Sequence, residues 1–574
     1  ECWAERIDSR LRAVLEVFDA TGRRLAANRG YFGIDPLIDF RVPADGSYVV
    51  KVQDLISTGG TEHYYRLDID TGPRVAFSVP SVVQRGKATR VALYGWNLAG
   101  QSSRQTPSAV TVTANGARSV PATSTGSAKP ETPVTFDRVE VEIPASLAEA
   151  SWPLPVRCAP AQAVFEGFAY HLPGSHAAVA VGVTDVPVAL DRSDNHSPGS
   201  AQPIVNPCEV SGQLVAGDER DWYAISAHRG EVLYIEALAQ RIHSPVDLQL
   251  SVFDAFGDQE LAQFSDEVSN LGGSAFPTNH LDPTGRWVVP ADGRYLIAVR
   301  NLRGGMQADP RRTYRLSVRR EEPDFQLVAV PHRDGPVGLN VRRGGRELLD
   351  VVAFRRRGLE GPIRIVARDL PAGVECPDVW LGPGVDRASI VVSADRTTLN
   401  LLGELKLEGL AAGVAARPVR GGTVVRAGLP NGWGRLASQI PLAVAGDAPL
   451  TVTADGHEPV DHHLYGKLQV RHSPGGILDI AVRIERRDSD HQSPVKLIGV
   501  GLPEAIRNET ATIPAGQSHG YLSFYLPPSL SPGRYSLVVQ AETTVLTPEK
   551  KPGTVTVHSN PVTFEVEPAA FLVE

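Results

Sequence analysis

Apolar and polar residues alternate in short runs along most of the chain. Leu248, Leu250 and Val252 are separated by Gln249 and Ser251, the two-residue period of a strand with one buried face. Tyr48 to Val52 and Tyr295 to Val299 read as Tyr-led strands. Each follows an Asp-Gly pair, Asp45-Gly46 and Asp292-Gly293, where glycine can take a positive φ. Pro80 to Leu98 alternates on either side of an Arg85-Gly86 turn, and Ile363 to Ala367 and Ser536 to Ala541 are strand-like. The longest apolar pieces, such as Ala177 to Val183, are strand-sized and fall well short of the ~18 residues of a membrane span. The pattern predicts an all-β protein of antiparallel sandwiches.

Internal repeats organise these strands. Glu1-Cys2-Trp3-Ala4-Glu5-Arg6-Ile7-Asp8-Ser9 matches Glu236-Ala237-Leu238-Ala239-Gln240-Arg241-Ile242-His243-Ser244, and the same offset carries Val17-Phe18-Asp19-Ala20 onto Val252-Phe253-Asp254-Ala255. Pro43-Ala44-Asp45-Gly46-Ser47-Tyr48 matches Pro290-Ala291-Asp292-Gly293-Arg294-Tyr295, and Tyr65-Arg66-Leu67 matches Tyr314-Arg315-Leu316. The spacing widens between blocks, so the second copy holds loop insertions, one of them between Asp266 and Pro283. The second copy also extends upstream to about Asp191, where the first has no counterpart. The first copy is therefore expected to be an N-terminally truncated sandwich, and the chain a C-terminal part of a longer protein. A second repeat aligns Pro362 to Ala394 on Pro494 to Leu526 without gaps, with Leu370-Pro371 on Leu502-Pro503 and Gly384 on Gly516.

Composition narrows the function classes. The 574 residues include 54 Gly and 45 Pro, which favours many turns over long helices. With 57 basic and 65 acidic residues the net charge is −8, and no concentrated basic patch for nucleic acid is expected. The four cysteines, Cys2, Cys158, Cys208 and Cys376, contain no C-x-x-C pair and so no zinc-ribbon spacing. Cys158 and Cys208 flank one domain junction and could pair; isolated buried thiols are the other reading.

Three spaced segments carry a family resemblance. These are Asn195-His196-Ser197-Pro198-Gly199-Ser200-Ala201-Gln202-Pro203, Gly217-Asp218-Glu219-Arg220-Asp221-Trp222-Tyr223, and Pro290-Ala291-Asp292-Gly293-Arg294-Tyr295. Together they resemble the bacterial pre-peptidase C-terminal domain, a jelly-roll-like β-sandwich of secreted proteins, as strung with immunoglobulin-like domains in long planctomycete-type surface proteins. Gly95-Trp96-Asn97-Leu98 resembles the opening of TIG-type immunoglobulin-like domains. The expected organisation is residues 1–72, a truncated pre-peptidase C-terminal-like sandwich; 73–189, a TIG-like domain with a Ser/Thr/Pro-rich loop; 190–322, a complete pre-peptidase C-terminal-like sandwich; and 323–445 and 446–574, two immunoglobulin-like repeats.

The resemblance implies a calcium site. Asn195, Asp218 and Asp221, with Asp191 near the upstream acidic position, match the family's ligands. Calcium wants six to eight oxygens. Ser193 and His196 stand where the family often has acids, and a neutral His offers nitrogen where oxygen is preferred.

Other chemistry-like motifs read as structure. Gly516-Gln517-Ser518-His519-Gly520 is a formal G-x-S-x-G, but a nucleophile elbow needs a helix after the turn, and Tyr521-Leu522-Ser523-Phe524 reads as a strand. His457-Glu458-Pro459-Val460-Asp461-His462-His463 is not H-E-x-x-H, and Pro459 forbids the regular helix such a site needs. Arg355-Arg356-Arg357 and Arg311-Arg312 read as solvated faces. Trp96, Trp222, Trp287, Trp380 and Trp433 are candidates for polymer binding, with core packing as the plainer role.

The function expected is that of a non-catalytic, extracytoplasmic multidomain β protein, a binding module or surface spacer. Its partner would be an extracellular protein or polysaccharide, not nucleic acid, and it has no membrane span. The alternative is the accessory C-terminal part of a secreted peptidase whose catalytic domain lies upstream of residue 1.

Overall fold

The computed structural model describes the chain except residues 32, 99–107, 111–135, 150–158, 176–177, 304–307, 333–336, 425–433, 458–459, 463–465, 469–471, 488–490, 547–550 and 569–574. At 108–110, 148–149, 460–462 and 466–468 it describes backbone alone. The architecture is tandem β-sandwiches. Among the described residues, no helix is long and apolar enough to cross a membrane. Two units separate: Glu1–Ser269 with Asn279–Glu321, and Asn270–Thr278 with Glu322–Arg426 and Gly434–Glu574.

In the first unit, the second repeat copy forms two facing sheets. One is six-stranded, in the order Val188–Leu190, Cys208–Gln213, Thr313–Arg320, Val232–Leu238, His280–Val288, Asp266–Glu267. The other is five-stranded: Gln202–Pro203, Arg220–Ala227, Gly293–Asn301, Leu248–Phe253, Glu260–Phe264. Inward residues of both sheets, among them Leu233, Ile235, Leu250, Val252, Ile297 and Val318, make one core. Leu248, Leu250 and Val252 lie on it as their alternation predicts. The Asp-Gly turns differ from expectation. Neither Gly46 nor Gly293 takes a positive φ. Gly293 is already extended and paired with Ala227, and the turn before it is held instead by Tyr295, whose hydroxyl donates to the Ala291 carbonyl at 2.6 Å.

The first copy shares this plan with fewer strands. Arg24–Asn28, Ala13–Phe18 and Val49–Asp54 form one sheet, and Cys2–Trp3 pairs with Arg66–Leu67. Val42, Val49, Tyr65 and Ile69 of this copy are more than half exposed. Their counterparts Val289, Leu296, Tyr314 and Val318 are fully buried, because the sheets of the second copy continue past them.

Both copies carry a clamp that the sequence matches do not reveal. Asp282 accepts backbone N–H groups from Ala239, Gln240 and Arg241 at 2.7, 2.7 and 3.2 Å, and Arg241 Nε at 2.7 Å. Asp35 does the same for Ala4, Glu5 and Arg6 at 3.0, 2.7 and 3.2 Å, with Arg6 Nε at 2.7 Å. In each copy the residue two past the arginine, Asp8 or His243, is left-handed.

Between the copies lies a sandwich of Arg74–Val79, Thr89–Trp96, Phe136–Ile143 and Ser108–Val110 against Gly167–Tyr170, Val179–Thr184 and Val82–Gln84. Ser108–Val110 pairs as a strand within the Ser/Thr/Pro-rich stretch read as a loop; most of that stretch lies outside the described residues.

This sandwich joins the next through a buried polar seam. Glu209 takes Arg315 on one oxygen and Arg319 on the other, the latter at 2.6 Å, and Arg319 also reaches Thr184. Burial pulls the Glu209 carboxyl upward, but the two guanidinium groups outweigh it and hold it below the usual range. Ser81 N–H donates to Ser211 Oγ at 3.0 Å, and Gln162 Nε2 to the Arg241 carbonyl at 2.6 Å. A Cβ on Gly182 would lie 2.3 Å from Arg315 Nη1, so only glycine admits this arginine.

In the second unit, a nine-stranded curled sheet and the three-stranded sheet Leu339–Arg343, Pro441–Asp447, Leu401–Glu404 enclose one core. The following sandwich sets Leu450–Asp455, Ile477–Arg486 and His519–Tyr525 against a sheet built on Gly533–Leu546. The gapless repeat extends to the backbone: Asp369 and Gly501, at matching positions, are both left-handed, as are Gly384 and Gly516. Ser518 follows that Gly516 turn and leads into strand His519–Tyr525, so the G-x-S-x-G has a strand after it, as expected; the turn is not a hairpin, because Thr510–Ile513 pairs in one sheet and His519–Tyr525 in the other.

The basic clusters are not solvated faces. Arg355 is mostly buried and donates to the carbonyls of Gly361, Gly382 and Val385 while pairing with Asp386. Arg357 binds Asp324, and Arg311 binds Asp309. Carbonyls and carboxylates folded around these guanidinium groups take up their N–H donors. Trp222 and Trp287 are core residues, and Trp433 lies outside the described residues. Cys208 is a buried free thiol, pushed up to about 12 by burial; Cys158 lies outside the described residues. In the His457–His463 motif, Glu458, Pro459 and His463 lie outside the described residues.

Candidate functional site

The third sandwich gathers acidic and aromatic groups where its two sheets meet. Strand Arg220–Ala227 alternates faces, so Asp221 and Tyr223 point one way and Trp222 the other. Glu219 extends the same row one step before the strand. Trp222 lies on the outer face with Ala201, Ala224 and Phe253. The backbone after Val188–Leu190 brings Asp191, Asn195 and His196 over the inner row. The N–H of Trp222 donates to the Asn195 carbonyl at 2.8 Å.

From the opposite sheet comes Tyr314, whose ring covers Gly212 on the paired strand. A Cβ on Gly212 would stand 2.3 Å from the Tyr314 ring. Four oxygens then line up. Tyr223 OH reaches Asp191 Oδ1 at 2.6 Å, the two tyrosine hydroxyls are 2.5 Å apart, and Tyr314 OH reaches Asp221 Oδ2 at 2.6 Å. Three short contacts need three protons, and two tyrosines supply two. The third belongs to a carboxyl. Burial pushes Asp221 up to about 9, reinforced by the Asp191 charge, and pushes Asp191 up to about 6. Burial also raises Glu219 and drives both tyrosines well above their ordinary value.

His196 sits at the open end. Its Nδ1 is 3.1 Å from Asp221 Oδ1 and 3.5 Å from Glu219 Oε1, and its Nε2 is 2.9 Å from the Ser193 carbonyl. Asn195 is fully buried; its amide nitrogen donates to Asp191 Oδ1 at 2.9 Å, while its amide oxygen has no hydrogen-bond partner.

Of the four residues matched to calcium, the structure brings together Asp191, Asn195 and Asp221. Asp218 is exposed in the turn, and Glu219 takes the place in the cluster. The strand period carried that signal: from Asp221, the inward row runs back to Glu219 and not to Asp218. The donor set fits calcium poorly. Asp191 Oδ1 already takes a tyrosine and an amide, Asp221 Oδ2 takes a tyrosine, and an imidazole nitrogen stands at the point of convergence.

No protein-family model matches the chain, and no curated protein matches it. Among solved structures it is similar to a Porphyromonas gingivalis W83 protein of unknown function, at 10% identity over 41% of this chain and 99% of that one, with a TM-score of 0.12. It is also similar to a tetra-tandem repeat from the extending region of a large adhesion protein, at 10% identity over 98% and 93% of the two chains, TM-score 0.13. A third likeness is to the native conformation of E. coli alpha-2-macroglobulin, at 9% identity over 97% of this chain and 44% of that one, TM-score 0.14. Similarity at this level carries no functional argument.

Proposed function

We propose that this chain is a non-catalytic, extracytoplasmic β-domain protein that serves as a surface spacer or binding module, with its two long repeats of the pre-peptidase C-terminal kind. Its ligand class would be an extracellular protein or polysaccharide. The observation that supports the spacer role is the seam around Glu209. A spacer must fix the angle between successive domains. Glu209, Arg315 and Arg319 lie on one sheet of the third sandwich, and Arg319 also reaches Thr184 of the preceding one, a buried polar contact that is satisfied in only one geometry. The strand connection agrees: three residues, 185–187, separate Val179–Thr184 of one sandwich from Val188–Leu190 of the next.

Hydrogen exchange followed by mass spectrometry tests this reading. Residues 182–191 are expected to exchange as slowly as the sandwich cores, and Glu209→Ala to accelerate that segment ahead of them. Exchange of 182–191 at the rate of an open linker in the unaltered chain would defeat the spacer role. Assays on casein, gelatin and ester substrates test the non-catalytic part; turnover abolished by Ser518→Ala would overturn it.

A further inference from the structure

Three ligand-type atoms converge at the mouth of the third sandwich: His196 Nδ1, Glu219 Oε1 and Asp221 Oδ1, all within 4.8 Å of one another. Each residue has its other polar atom tied back. Nε2 of His196 rests on the Ser193 carbonyl at 2.9 Å, Glu219 Oε2 accepts the Ala216 N–H at 2.6 Å, and Asp221 Oδ2 shares a hydrogen bond with Tyr314 OH at 2.6 Å. A carbonyl can only accept, so the proton of a neutral imidazole sits on Nε2. The Nδ1 lone pair then faces one oxygen of the Glu219 carboxyl and one of the Asp221 carboxyl, three acceptor atoms that a cation between them would satisfy. A fully buried acceptor without a partner, the Asn195 amide oxygen, belongs to the adjoining residue.

We propose that His196, Glu219 and Asp221 bind a divalent transition-metal ion of the zinc class, in place of the calcium that the family resemblance implies. Imidazole nitrogen suits zinc-type ions, whereas calcium takes oxygen. The spacing agrees. Ligands about 2.1 Å from a tetrahedral ion stand roughly 3.4 Å apart, and Nδ1 lies 3.1 and 3.5 Å from its two oxygen neighbours. The tied-back second atoms are the outer contacts that metal ligands use to fix tautomer and direction. The His196 side chain is 42% exposed, so an ion can enter from solvent. Once bound, it would fasten the 191–196 segment to strand Arg220–Ala227.

The test is calorimetric titration of the chelator-treated 574-residue chain with zinc chloride, beside cobalt(II) absorption in the visible. The expected result is a zinc equivalent that His196→Ala removes or weakens at least ~10-fold, with Glu219→Gln acting likewise. A cobalt absorption band should disappear in the same variants, and millimolar calcium chloride should leave the zinc equivalent in place. Thermal unfolding of metal-free His196→Ala should match the parent, since this side chain is partly exposed. Zinc binding unchanged in both variants would place the ion elsewhere, for instance on the His457–His463 segment, and overturn the proposal. Calcium that displaces zinc, with affinity indifferent to His196→Ala, would overturn it in favour of an oxygen site. Either failure leaves the exchange behaviour of residues 182–191 untouched, so the spacer reading stands or falls separately.

Discussion

Replacing Asp282 by alanine offers a quantitative test of the clamp, because the molecule contains its own control. Asp282 is 1% exposed and holds three backbone N–H groups and the guanidinium of Arg241, whose side chain is 2% exposed. Its removal strands a buried cation that keeps only Glu236. Breaking a buried pair from one side costs about 3–5 kcal/mol. The Asp35 clamp has nearly the same distances, but its Arg6 side chain is 22% exposed. Water can therefore replace the lost carboxylate, and Asp35→Ala should cost about half as much, roughly 2 kcal/mol. At 1.4 kcal/mol per factor of ten, Asp282→Ala should speed exchange in Leu248–Phe253 by about two to three and a half orders of magnitude, and Asp35→Ala should speed it in Ala13–Phe18 by roughly one to one and a half. Exchange mass spectrometry resolves both segments in the whole chain. Equal losses in the two copies, or a cost below about 1 kcal/mol at Asp282, would refute the argument that desolvation sets the strength of the clamp.

Three further outcomes follow from the second unit and the seam. Asp350 is raised by burial, but the His332 hydrogen bond and the Arg387 charge outweigh this and hold it at about 2. Its folded value lies below its unfolded one, so its stabilising contribution is present above about pH 4 and is lost as pH falls toward 2. Asp350→Asn should flatten that part of an acid-unfolding curve, and an unchanged slope would count against the assignment. Gly382→Ala would set a Cβ 2.0 Å from the Tyr535 ring, and calorimetry should show a loss of about 1–3 kcal/mol. Gly182→Ala should displace Arg315 from Glu209 and reproduce the local exchange effect of Glu209→Ala; a silent Gly182→Ala would mean the arginine has room to move.

Local order was readable from the sequence and convergence was not. Period-two alternation placed Leu248, Leu250 and Val252 on the core, and the second repeat aligned residue for residue because no insertion interrupts it. The clamp went unseen because an insertion separates the blocks: Arg6 and Asp35 are 29 residues apart, Arg241 and Asp282 are 41. A lone Asp gives no signal at unequal spacing. At the site, three of the four residues matched to calcium come together, since they lie on one turn and one strand. Tyr314 joins from a strand more than ninety residues away, paired to the Asp221 segment only through the sandwich interior. Glu219 is legible in the segment Gly217–Tyr223, where the two-residue strand period run back from Asp221 reaches it. The arginine clusters misled for a different reason: charge density along the chain does not show which carbonyls fold around it.

The connection at residues 185–187 has a mechanical meaning. Strand Val179–Thr184 runs parallel to Val82–Gln84, and Val188–Leu190 runs parallel to Cys208–Gln213. A pull along this connection slides each strand past its neighbour. Under such shear, the ladder bonds of a pair bear load together, whereas a strand peeled from its end gives them up singly. Tension crossing from one sandwich to the next would therefore meet two shear-loaded pairs in series, braced by the Glu209 ion pairs, and extension would begin elsewhere in the chain.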